Sequence, residues 1–130
     1  MAAGLVFHEG RLLITQRPKT GHLANLWEFP GGKRERDESF EECLHRELKE
    51  ELDIRVDHLE LIESIEHNYP EKWVHLKFYR CCLAGGTPRA IGCQDLRWVA
   101  QTELDRFEFP PADVRLLAKL GPQGTYWPHK

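Results

Sequence analysis

The stretch SFEECLHRELKEELDI, Ser39 to Ile54, leaves the chain little choice of local structure. Ser39 followed three residues later by Glu42 is a capping box, and Leu44, Leu48 and Leu52 recur at helical spacing. The pattern predicts an amphipathic helix that starts at Ser39 and runs to about Leu52, with Glu42 and Arg46, four apart in the favourable order, lending support. On that helix Glu47, Glu50 and Glu51 fall within an arc of about 100°, beside the apolar stripe rather than opposite it. Two carboxylates about 6 Å apart repel by roughly 3 kcal/mol at an effective dielectric near 20. A domain bears that cost at a cleft edge when a cation offsets it, and an oxygen-seeking divalent ion such as Mg²⁺ or Mn²⁺ would also bind phosphate groups. An ordinary acidic surface helix is the simpler alternative, and the helix alone does not decide between them.

The rest of the chain supplies strands. Two β-rich runs, Leu5 to Phe7 and Leu12 to Thr15, meet at Glu9-Gly10 and predict a hairpin. Residues 18–25 read as loop and Leu26 to Phe29 as a short strand stopped by Pro-Gly-Gly. After the helix come two long strands, residues 55–69 and 72–84, linked by a turn around Pro70 and Glu71. GGTPRAIG reads as loop, DLRWVA as a strand, and PPADVRLLAKL as a second helix with proline at its start and Gly121 past its end. Strands on both sides of a central helix, with another helix last, give the α/β (α+β) class: a mixed sheet sandwiched between helices. With no repeat or linker, residues 1–130 read as one domain, 121–130 being a loosely docked tail.

The net charge of −3, spread along the chain, gives no basic footprint for duplex nucleic acid or an anionic membrane. No apolar run approaches a membrane span and no leader pattern opens the chain, so the cytoplasm is expected. Cys43, Cys81, Cys82 and Cys93 form no C-x-x-C and read as reduced, mostly buried small residues. Neither a G-x-S-x-G elbow nor a calcium-loop spacing is present.

A longer pattern surrounds the acidic helix. Gly32, five residues, Glu38, seven residues, then Arg46, Glu47, Leu48, Lys49, Glu50, Glu51, Leu52, Asp53 and Ile54 resembles the Nudix box, G-x5-E-x7-R-E-U-x-E-E-x-G-U with U apolar, at every defined position but one. GHLANLWEFPGGK before the box and FPPADVRLLAKL near the end resemble the MutT-type branch. The resemblance implies the Nudix fold and divalent-metal-dependent hydrolysis of nucleoside triphosphates to monophosphate and pyrophosphate. It implies that Glu47, Glu50 and Glu51, with the main-chain carbonyl of Gly31, hold the metal, that Arg46 orients the glutamates, and that Glu38 braces the loop. Two departures stand out: Asp53 occupies the position of the family's glycine, and Gly92 in GCQDLRW that of an additional loop acid, which would shift water activation onto Glu50, Glu51 or Asp95.

In the same branch Asp113 would face the base edge, where a carboxylate accepts from either a purine or a cytosine amino group. Trp27, Phe29, Phe78 and Phe109 are candidate apolar walls, Arg17 and Lys33 candidate phosphate contacts, and His22 the histidine nearest a ligand. The expected activity is on an oxidised purine triphosphate such as 8-oxo-dGTP, with a pyrimidine triphosphate pyrophosphohydrolase and a non-catalytic nucleotide-recognition module as rivals. The oligomeric state is not legible.

Overall fold

The computed structural model describes the chain except Tyr69, Glu71, Lys72, Gln123, His129 and Lys130, and except the side chains of His67, Asn68 and Ala112. The expected turn at Pro70 and Glu71 therefore falls largely outside the described residues, as do the last two tail residues.

The predicted hairpin forms from β1 (Ala2–His8) and β2 (Arg11–Gln16). Glu9 and Gly10 both take positive φ, 50° and 78°, the geometry of a two-residue turn whose twist matches the strands. The short strand is β3 (Trp27–Glu28), trimmed at both ends, and a second piece that the sequence hid, β4 (Gly31–Gly32), pairs with β1 at Ala2 and Ala3. Gly31 must be glycine there, since a Cβ would lie 2.0 Å from the Ala2 carbonyl oxygen.

Helix α1 (Phe40–Leu52) carries the predicted capping box, with Ser39 as N-cap and both reciprocal hydrogen bonds made. It ends on Asp53 at φ 57°, ψ 44°, so aspartate takes the left-handed position as expected, its carboxylate 2.6 Å from Lys49 Nζ. The expected Glu42–Arg46 pair is not made: the cap occupies Glu42, and Arg46 turns to other acids.

Strands β5 (Arg55–Asn68) and β6 (Trp73–Gly85) pair antiparallel, β1 joins β6 in parallel, and β7 (Asp95–Val99) adds to β2. The order β3-β2-β1-β6-β5 makes a mixed sheet with β1 at its centre, buried on both faces. Ala2, Val6, Leu13, Tyr79 and Cys81 face α1 with Leu44, Leu48 and Leu52. The alternate residues Leu5, Phe7, Leu12, Ile14 and Phe78 face the other layer with Leu116 and Leu120 of α2 (Val114–Leu120). The second helix opens with a 3₁₀ turn, Pro111–Asp113, and another 3₁₀ segment, Gln101–Arg106, precedes it.

The tail corrects the sequence reading. Tyr126 donates from its hydroxyl to Ile62 O at 2.8 Å, and the Trp127 ring meets Phe7 edge-on at 5.1 Å. Both aromatic rings of this Gly/Pro-rich end are half-buried and pack beside the core layer of α2. Cys43 and Cys81 are buried as expected, Cys93 is half-buried and Cys82 exposed. No helix among the described residues is long and apolar enough to cross a membrane.

Candidate active site

Three pieces of chain meet at the C-terminal half of α1. The first is the Gly31–Gly32 ribbon: a Cβ on Gly32 would lie 2.4 Å from Glu47 Cδ, so Gly32 lets the Glu47 carboxyl pack directly on the main chain. The second is the loop before β7, where the N–H groups of Ile91 and Gly92 both donate to Glu51 O, at 3.1 and 3.0 Å. A Cβ on Gly92 would press on Glu51 Cγ at 2.9 Å, so the expected missing acid is replaced by close backbone contact with the Glu51 stem. Asp95, the acid nearest along that loop, is engaged by Arg97 at 3.0 Å. The third piece is β3, which brings in Glu28.

Arg46 organises the acids. Its Nε donates to Glu38 Oε2 at 2.7 Å and one terminal nitrogen to Glu47 Oε1 at 2.9 Å and Glu50 Oε2 at 3.1 Å. The other terminal nitrogen donates to Lys33 O at 2.9 Å, tying the helix to the glycine ribbon. The Arg46 guanidinium holds Glu38 down to about 2, and Glu38 also accepts from the Glu35 N–H. Arg46 thus contacts Glu38, Glu47 and Glu50 at once and ties them to the ribbon.

Glu51 has the opposite environment. Burial, then the Glu47, Glu28 and Glu50 carboxylates, push it up to about 8. Among the described residues no three His, Cys, Asp or Glu side chains already stand at metal-ligand spacing. Arg46 draws Glu50 outward, its side chain 58% exposed against 15% for Glu47. The donor types nevertheless suit a hard divalent cation: Glu47, Glu50 and Glu51 offer carboxylate oxygens at one end of α1, and their mutual repulsion is what such an ion relieves.

On the other side of the ribbon lies a cavity of about 110 Å³ lined by Glu28, Gly31, Gly32, Phe29, Phe78 and Asp113, among others. Phe78 and Asp113, far apart in sequence, line it together; Phe29 adds a wall, stacked on Phe109 at 5.2 Å, while Trp27 packs on Phe107. Burial pushes Asp113 up to about 6, with Glu28 adding to the effect. Burial likewise raises Glu28, opposed by Arg17, whose guanidinium sits 3.3 Å from it.

Three candidates stand differently from expectation. Arg17 spends its charge on Glu28, His22 is exposed and offers only its carbonyl to Arg17, and Lys33 lines a separate cleft. Glu28 is the residue that sequence reasoning missed. Its position in the two-residue β3 was legible, but nothing local marks it as buried, because its neighbours in the site come from α1 and from before α2.

A mixed sheet between helices, with glutamates gathered on one helix against a Gly-Gly ribbon, is the architecture of a Nudix domain. The chain belongs to the Nudix family: residues 2–119 match the NUDIX domain model. It is similar to an 8-oxo-dGTP diphosphatase of Escherichia coli, 36% identical over 92% of this chain and 94% of that protein. It is also similar to a CTP pyrophosphohydrolase of the same species, 36% identical over 90% of this chain and 87% of that one. A solved structure of MutT, from a study of Aliivibrio salmonicida and Vibrio cholerae, superposes with a TM-score of 0.73 and 30% identity, covering 92% of this chain and 93% of that one. As a Nudix hydrolase the chain is an enzyme of a family that uses a divalent metal.

Proposed function

We propose that this enzyme hydrolyses a nucleoside triphosphate to the monophosphate and pyrophosphate, acting in the cytoplasm on an oxidised purine nucleotide such as 8-oxo-dGTP. One observation carries the reading: the Gly31–Gly32 ribbon lines the Asp113–Phe78 cavity, and its Gly32 also seats the Glu47 carboxyl. A base entering the cavity therefore places its phosphate chain across the ribbon, over the acidic end of α1.

Glu47, Glu50 and Glu51, with the carbonyl of Gly31, would hold Mg²⁺, or Mn²⁺ in its place. Bound there, the ion neutralises phosphate oxygens and lowers the barrier to attack by water at phosphorus. Arg46 fixes Glu47 and Glu50, Glu38 fixes Arg46, and Glu50 or Glu51 takes the proton of the attacking water. Asp113 accepts from the base edge, and Phe29 and Phe78 wall the base.

A pyrimidine substrate is the second reading, favoured by one specific observation. An Asp113 carboxyl held near 6 can also keep its proton and donate to a ring nitrogen. Pyrophosphate release from a panel of canonical and oxidised triphosphates, with Mg²⁺ and with chelator, tests both. The best substrate identifies the base, and release from none under any condition overturns the hydrolytic reading in favour of a recognition module.

A further inference from the structure

We propose a second nucleotide site on the α1 face of the sheet, in which a nucleoside phosphate stacks its base on Trp73 and sets its phosphate among Lys33, Arg34 and Lys77. The cleft has a volume of about 580 Å³, within the usual range of small-molecule sites. It is distinct from the Asp113 cavity: His75 and Lys77 alternate along β6 with Leu76 and Phe78, so the two sets face opposite sides of the sheet.

Its floor is a continuous run of rings. Phe40, at the start of α1, meets His75 at 5.0 Å, and His75 stacks on Trp73 at 5.9 Å and 29°. Trp73 is 63% exposed, the most open large aromatic side chain among the described residues. Over the same Phe40 ring stand two cations, Lys77 Nζ at 4.5 Å and Arg34 Cζ at 4.7 Å from the centroid.

The charge around this floor is unbalanced. Arg17, Arg46, Lys49, Arg80, Arg97, Arg115 and Lys119 each have a carboxylate partner. Lys33, Arg34 and Lys77 have none among the described residues, as is true also of Arg11, Lys19, Arg36, Arg55 and Arg106, but Arg34 and Lys77 are the two that stand over one ring. The nearby acids are committed or peripheral: Glu38 is held by Arg46, and Glu66 stands 3.7 Å from the His75 ring. Cations that crowd one ring without an anion repel one another as the glutamates of α1 do, and a phosphate relieves the one as a metal relieves the other. Adjacent open indole supplies stacking that any base can use.

The site stands apart from the hydrolytic reading and is tested without turnover. The full chain, ¹⁵N-labelled and held in chelator, is titrated with AMP. The Trp73 indole and the His75 and Lys77 amides are expected to shift along one saturation curve that Asp113→Asn leaves unchanged. Trp73→Ala, in the cleft lining, and Lys77→Gln, over the Phe40 ring, should each weaken that curve about tenfold or more, the scale of one lost stack or charge, while leaving KM for the triphosphate unchanged. Shifts confined to Phe78 and Asp113 overturn the proposal. So does inorganic pyrophosphate that binds as tightly as AMP whether or not Trp73 is present, which marks an anion site only. An oligonucleotide that binds more than about a hundredfold tighter than AMP also overturns it, in favour of a strand-binding surface. Failure of every triphosphate to be hydrolysed would remove the reading of the acidic site and leave this titration to be judged alone.

Discussion

Two carboxylates, the half-buried Glu51 on α1 and the buried Glu63 on β5, have opposite company. Glu63, 8% exposed, accepts from the Tyr126 hydroxyl at 2.6 Å and pairs with Arg115 at 3.1 Å and Lys119 at 3.3 Å. Those donors pull its ionisation below the usual carboxylate range, the Tyr126 hydrogen bond most of all. Glu51 is pushed up to about 8 by burial first and then by the other carboxylates it faces. Glu63 is finished by the chain itself, and its network staples the tail and α2 to the sheet edge. Glu51 is left incomplete. A buried acid among donors contributes to the fold, whereas one among acids lowers stability until something outside the chain completes it.

The largest test of that contrast is Glu51→Gln. The amide keeps the shape, removes the charge, and should cost about 10²–10⁴ in kcat for pyrophosphate release. Its unfolding midpoint in chelator should match or exceed that of the parent, because a repelled charge has been deleted. Mg²⁺ at about 100 times its dissociation constant should stabilise the parent by roughly 2.7 kcal/mol and the variant much less. A destabilised variant with kcat intact would reverse the comparison.

Glu63→Gln should do the converse. Leaving Arg115 and Lys119 without their partner should cost about 1–3 kcal/mol in chemical denaturation at pH 7, with kcat within a factor of about three. The sign with pH follows from the depressed ionisation of Glu63. Its contribution is present above the unfolded carboxylate value and lost as pH falls through the lower folded value, so the variant should lack that acid-side decline.

The two clusters were unequally legible. The capping box, the leucine stripe and the glutamate spacing are all local, so α1 and its acids could be read from neighbours three and four residues apart. The Gly31–Gly32 ribbon, Glu28 and the Glu63 staple depend on partners that lie far along the chain, Ala3 for Gly31, Asp113 for Glu28 and Tyr126 for Glu63, which no periodicity reports. The same limit misplaced the tail: Tyr126 and Trp127 looked like a loose end because the groove that holds them is made by β1 and β5. Arg46 shows an intermediate case. Its pairing with Glu38 follows the box, but helical spacing alone favoured Glu42, which the cap had already taken.

Asp113 lies between the extremes, buried but near only one acid, and it offers a smaller, pH-dependent test. Its folded value of about 6 is above that of an ordinary aspartate. The neutral form is therefore the one the fold favours; the stability it lends is complete at low pH and lost as pH rises through about 6. Above that pH Asp113 is an ionised acceptor. For a purine edge that donates, KM should rise about tenfold per pH unit below 6, and Asp113→Asn should flatten the profile. A KM that falls on acidification would mean that the protonated carboxyl donates, and would assign the pocket to a pyrimidine.

The smallest effect is expected at Asp53, where the chain departs from the box. A left-handed conformation costs an ordinary L-residue roughly 1–2 kcal/mol, less for aspartate, and glycine avoids it. Asp53→Gly also gives up the contact with Lys49 at 2.6 Å and a longer one to Arg89 at 3.8 Å, both at the surface and therefore weak. The net should be a slight rise in the unfolding midpoint with kcat unchanged, since the Asp53 N–H still donates to the Lys49 carbonyl whichever residue stands there. A drop in kcat without loss of stability would mean that Asp53 helps aim Glu50 and Glu51, and the division between acids that hold the fold and acids that serve the site would then have to move one turn further along α1.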